Sequence, residues 1–138
     1  MTMVAIEYMT IGSIPIKTGK IGVFEGAYLP PDLQTFLRLR DAIEQHFRVN
    51  RHPDYYLCTF GYTKKQMSAL CRLYANKTLY ELIQDRIHEE ALKLLTQTTL
   101  SVAQVSYELG ISSPSWFIKC FKKRTGMRPR QFRKNAGM

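Results

Sequence analysis

The chain has 138 residues, 45% of them hydrophobic and 22% charged, with a net charge of +9. That length holds one modest domain or two very small ones, and everything but the charge is ordinary for a soluble fold. No apolar run reaches the ~18 residues of a membrane span, and the start lacks the basic and apolar blocks of a signal peptide, so a cytoplasmic protein with no membrane partner is expected.

Three cysteines, Cys58, Cys71 and Cys120, fit reduced thiols in that compartment. The charge is concentrated rather than spread. Residues 1–31 set Lys17 and Lys20 against Glu7 and Glu25, whereas no acidic residue follows Glu108 and eight lysines and arginines do. A basic end of this kind is either a solvated tail or a polyanion surface.

Residues 1–31 differ from the rest. The stretches VAIEYM and KIGVFEGAYL are rich in β-formers, with Thr18-Gly19 between them as a turn, which predicts a short β-hairpin or extended arm. Pro30-Pro31-Asp32 opens a helix to about Phe47, with Leu33, Phe36, Leu37, Ile43 and Phe47 as its apolar stripe and Arg38, Asp41 and Glu44 turned outward.

Pro53 opens a short helix that Gly61 closes. Thr63 with Gln66 three residues on is a capping box, starting a helix that carries Met67, Leu70, Cys71 and Tyr74 inward and stops at Asn76. A first helix-turn-helix is therefore predicted over about 53–76. From Leu79 to Thr96 no glycine or proline interrupts Leu79, Leu82, Ile83, Ile87, Leu94 and Leu95, which predicts a linker helix.

Ser101 with Gln104 is a second capping box, Val105 and Leu109 give one turn of apolar face, and Gly110 stops it. Ser113-Pro114 starts another helix with Trp116, Phe117, Cys120 and Phe121 at helical spacing, ended by Gly126. Helix, tight turn and helix over about 101–126 is the pattern that lays its second helix in a DNA major groove.

The two patterns repeat. Gly61 pairs with Gly110 at an offset of 49, and Met67, Leu70, Cys71 and Asn76 pair with Phe117, Cys120, Phe121 and Gly126 at an offset of 50. The fold class expected is all-α: two helix-turn-helix subdomains on a long linker helix, about seven helices, behind the N-terminal hairpin or arm.

From about Leu33 to Lys134 the chain resembles the DNA-binding domain of the AraC/XylS family of bacterial transcription regulators. The resemblance is carried by LSVAQVSYELGI and SSPSWFIKCFKKRTGMRPRQFR, with Phe117, Phe121, Gly126, Pro129, Phe132 and Arg133, and by RIHEEALKLL in the linker. Leu57 stands where that family usually has the small residue that Ser106 supplies in the second pattern, and Cys71 where an aromatic residue is usual. Nothing in residues 1–30 matches the family's effector domain, so no ligand or cofactor is implied.

The resemblance implies base-reading positions early in each recognition helix: Lys64, Lys65, Ser68 and Ala69 in the first, and Ser113, Ser115, Trp116 and Lys119 in the second. Lysine suits guanine O6 or N7, serine serves as donor or acceptor, and Trp116 or Ala69 suits a thymine methyl. For Trp116 the alternative is a place in the core. Arg72, Lys77, Lys122, Lys123, Arg124, Arg128 and Arg130 are the expected phosphate partners, with helix N-termini at Thr63 and Ser101 adding N–H donors.

Double-stranded DNA is thus the expected partner, bound by a monomer or by a dimer formed through residues 1–31. The rival is a protein-binding adaptor or regulatory fragment whose same surface meets RNA polymerase or another regulator. Catalysis has no support: His46, His52 and His88 are scattered, His88-Glu89 meets Leu92 where a zinc-protease helix needs a second histidine, and the cysteines lack metal-ligand spacing.

Overall fold

A computed structural model describes residues 8–11, 14–17 and 29–137. Among the described residues seven helices follow one two-stranded hairpin: β1 (Tyr8–Ile11), β2 (Ile14–Lys17), α1 (Pro31–His46), α2 (Pro53–Phe60), α3 (Lys64–Ala75), α4 (Leu79–Gln97), α5 (Val102–Glu108), α6 (Pro114–Thr125) and α7 (Pro129–Asn135). The chain divides into two compact units at Arg86/Ile87, inside α4.

The hairpin is there, but not with the expected strands. β1 pairs antiparallel with β2, Tyr8 opposite Lys17 and Ile11 opposite Ile14. The expected turn at Thr18-Gly19 and residues 20–28 lie outside the described residues.

In the first unit α1 starts at a proline whose missing N–H loses no partner. Its buried stripe is Leu33, Phe36, Leu39, Ile43 and Phe47, all fully buried. Leu39 replaces the expected Leu37, which is only half-buried; steps of three and four from Phe36 to Ile43 pass through Leu39. Tyr56, Met67, Leu70, Cys71, Leu79, Leu82 and Ile83 complete this core. The Tyr56 hydroxyl donates to the Asn50 carbonyl at 2.8 Å, and burial with Tyr55 alongside pushes it up to about 12.

The second unit buries Ile87, Ala91, Leu95, Val105, Leu109, Ile111, Phe117 and Phe121. Phe121 is its hub, with ring centroids 5.9 Å from Phe117, 5.7 Å from Phe132 and 5.5 Å from His88. Such pairs add about 0.5–1.5 kcal/mol each beyond area burial.

Both helix-turn-helix turns are built alike. Gly61 and Gly110 take φ of 66° and 79°, the left-handed region that other residues enter only with strain. Past them the Tyr62 N–H reaches the Leu57 carbonyl at 3.0 Å, and the Ile111 N–H the Ser106 carbonyl at 2.9 Å. Asn76 (φ 53°) and Gly126 (φ 84°) then end α3 and α6.

Candidate nucleic-acid interface

In the first unit the capping box fixes where α3 begins. The Thr63 hydroxyl accepts from the Gln66 N–H at 3.1 Å, and the Thr63 N–H donates to Gln66 Oε1 at 2.9 Å. Helical phase then turns Met67, Leu70 and Cys71 inward and leaves Lys64, Lys65, Ser68, Ala69 and Arg72 exposed. Lys64 and Lys65 sit at the positive end of the helix dipole with no acidic residue in that turn. Two lysines there oppose folding by about 0.3–1 kcal/mol each, an unfavourable field that an approaching polyanion relieves.

In the second unit Ser113 caps α6 by accepting from the Trp116 N–H at 3.2 Å, with Pro114 at the first helical position. Its hydroxyl is thereby committed as an acceptor, although Ser113 remains exposed. Phe117 and Phe121 turn inward; Ser115, Trp116, Lys119, Lys122 and Lys123 turn outward. Trp116 is 50% exposed, so it is not a core residue.

Each expected base-reading residue is exposed on its own helix: Lys64, Lys65, Ser68 and Ala69 on α3, Ser115, Trp116 and Lys119 on α6, and Ser113 at the cap of α6. The cations divide less evenly. Arg72, Lys122, Lys123, Arg124, Arg128 and Arg130 are exposed. Lys77 is half-buried and paired with Asp85 on α4, which compensates its charge within the unit.

Arg133 is not a surface charge. Its Nε donates to the Leu95 carbonyl at 2.9 Å and a terminal nitrogen to the Thr98 carbonyl at 3.4 Å, covering acceptors left open at the end of α4. Arg86 is also structural, with its guanidinium held by both carboxylate oxygens of Glu44 at 2.7 and 2.8 Å. The expected N–H donors at Thr63 and Ser101 are partly used, because each capping box occupies the cap N–H and the N–H three residues on.

Two more features lay beyond the sequence reading. Thr78 and Glu81 form a third capping box, at the start of α4, visible in the sequence as T-x-x-E. These hydrogen bonds hold the Glu81 carboxyl below its ordinary value. The His52 ring nitrogen caps α2 by accepting from the Asp54 N–H at 3.2 Å. Among the described residues no group of three His, Cys, Asp or Glu could hold a metal ion, and no helix is long and apolar enough to cross a membrane.

A family profile described as a helix-turn-helix domain matches residues 57–135. The chain belongs to the AraC-type helix-turn-helix family. It is 31% identical over 78 residues to the probable transcription factor PqrA of Proteus vulgaris, a match covering 56% of this chain and 64% of that one. It is 43% identical over 51 residues to the transcriptional activator CsvR of Escherichia coli, covering 37% of this chain and 19% of that one. The chain thus spans less than two thirds of either AraC-type relative.

The fold is that of solved AraC-type domains. The C-terminal domain of the response regulator yesN from Fusobacterium nucleatum superposes with a TM-score of 0.66 at 18% identity, over 72% of this chain and 98% of that one. With the family established, the chain carries the DNA-binding domain of a sequence-specific transcription regulator.

Proposed function

We propose that residues 32–138 of this AraC-type chain read double-stranded DNA in the bacterial cytoplasm by setting α3 and α6 into successive major grooves, about 34 Å apart. Residues 1–31 form an arm in this reading. The observation that carries it is the sorting of side chains around the two recognition helices: Lys64, Lys65, Ser68 and Ala69, and Ser115, Trp116 and Lys119, are exposed while the opposite faces are buried. α4 runs unbroken over 19 residues between the two helix-turn-helix patterns. The outward Trp116 supports contact with a thymine methyl.

The test is a pair of substitutions on a duplex selected from a random pool. Lys119→Ala should weaken binding to the selected site by about 1–3 kcal/mol and to random DNA far less. Equal loss on both DNAs removes its reading role. Lys123→Ala should weaken all DNAs alike and lower the salt slope by about one counterion. Footprinting should protect two grooves. The reading includes RNA polymerase as a protein partner and monomeric binding, with dimerisation through residues 1–31 as the alternative; sedimentation of the chain on a one-site duplex distinguishes the two states.

A further inference from the structure

Among the grooves of the two units, one in each lies at the same place in the repeat. In the second unit an opening of about 550 Å³ is lined by Ser101, Val102, Ile118, Arg128, Pro129 and Arg130, with Arg133 behind. In the first an opening of about 330 Å³ includes His52, Pro53, Ser68, Thr78, Leu79 and Tyr80. These are the same positions one repeat apart. His52 and Ser101 cap the first helix of each pattern, and Thr78 and Arg128 cap the helix after each recognition helix. Ser68 and Ile118, Leu79 and Pro129, and Tyr80 and Arg130 follow at the offset of 50.

The backbone is duplicated and the chemistry is not. The second groove has an apolar floor in Val102, Ile118 and Pro129 beneath exposed Arg128 and Arg130, with no acidic residue in its lining. The first has Tyr80 and Thr78 in place of those arginines, and its lining sets Asp54 against Lys64. Thr78 is moreover committed to the cap of α4. An apolar floor with two flanking guanidiniums suits deoxyribose rings between phosphates; a lining whose one lysine is offset by an aspartate, with a phenol at the rim, offers phosphate no net positive charge.

We infer that the second unit's groove seats a stretch of DNA sugar-phosphate backbone through Arg128 and Arg130, and that the equivalent groove of the first unit makes no such contact. The inference rests on the DNA-reading proposal and adds to it an unequal division of backbone affinity between two repeats of one fold. The first unit then holds DNA through its recognition helix, and the second through its recognition helix and its groove.

The experiment is a salt titration of the full chain on a labelled random-sequence duplex. Exchanging the second groove's arginines for the first groove's residues, R128T/R130Y, should lower the slope of log K against log salt by about 1.8, so that wild type loses about twelvefold more affinity than the variant between 50 and 200 mM. R128K/R130K should restore the slope, which excludes misfolding as the cause. In the first unit D54A/Y80A should leave the slope unchanged, and Tyr80→Arg should raise it by about 0.9. Wild type without salt-sensitive DNA binding would sink the DNA-reading proposal and this inference together. Salt-sensitive wild type with an unaltered R128T/R130Y slope, or a slope lowered by D54A/Y80A, would overturn the inference alone.

Discussion

Replacing Arg86 with methionine separates a cation that holds the fold from the cations assigned to DNA. The Arg86 side chain is 10% exposed, its partner Glu44 56%. Its guanidinium lies 4.6 Å from the Phe47 ring centroid, with that of Arg48 at 4.8 Å. Methionine keeps the aliphatic packing and loses the charge. The lost cation–π contact is worth about 0.5–2 kcal/mol. The ion pair adds about 0.5–1 kcal/mol, kept low because Glu44 is in solvent that screens it. Relief of the desolvation of Arg86 offsets part of this. The net expected loss is about 1–2 kcal/mol, or a fall in melting temperature of about 3–8 °C for a chain of this size. Thermal unfolding by circular dichroism measures it, and the salt slope of DNA binding should not change. An unaltered or raised melting temperature would show that desolvation outweighs the contacts, and a slope lowered by one would move Arg86 to the DNA surface.

Ser106→Leu in the second unit should cost about 2–4 kcal/mol: Ser106 is fully buried with its hydroxyl donating to the Ile111 carbonyl at 2.7 Å, so leucine overpacks the turn and strands that acceptor; a denaturant melt reads the loss. Thr78→Ala should move the Glu81 carboxyl only part of the way back toward its ordinary value, followed by NMR titration, because the larger depressing contact comes from the backbone N–H at position 78, which alanine keeps, and only the hydroxyl's smaller share is lost. The depressed value stabilises the fold above the ordinary carboxylate range, a contribution lost as pH falls through the folded-state value, and the variant should show a shallower acid limb. Exposed Cys58 should react with a thiol reagent in the native state, whereas Cys71 is buried and pushed up to about 12, leaving on the order of 10⁻⁴ thiolate at pH 8; labelling of Cys71 at the rate of Cys58 would contradict this burial.

What was legible in the sequence was local. Thr63 with Gln66, Ser101 with Gln104, Ser113 before Pro114, and the terminators Asn76 and Gly126 all act within one turn of helix, and each sits where expected. The outward position of Trp116 comes from the resemblance, with a place in the core left open, and its 50% exposure decides between the two. What was not legible depends on distant partners. Arg133 finds its acceptors 35 and 38 residues back, and Arg86 finds Glu44 42 residues away. From the sequence these cations look the same as Arg128 or Lys123. The choice of Leu39 over Leu37 is of the local kind instead, since steps of three and four from Phe36 to Ile43 pass through Leu39, the fully buried one of the two.

The internal repeat unites these cases. Caps, turn glycines and terminators recur because they set backbone direction, and both units need the same backbone. Positions that set chemistry are free of that constraint and have diverged. Leu57 is half-buried where Ser106 is buried and hydrogen-bonded; Tyr80 stands where Arg130 stands; Lys77 is compensated by Asp85 where the second unit has Met127. A second copy of the fold is therefore no evidence for a second copy of the function. If the divergent positions matter, replacing Arg130, or putting arginine at Tyr80, should alter DNA binding while melting temperature stays fixed, and changing Gly61 or Gly110 should do the reverse. The two sets of residues are interleaved along the chain, so that separation would arise from the physical task of each residue and not from its location.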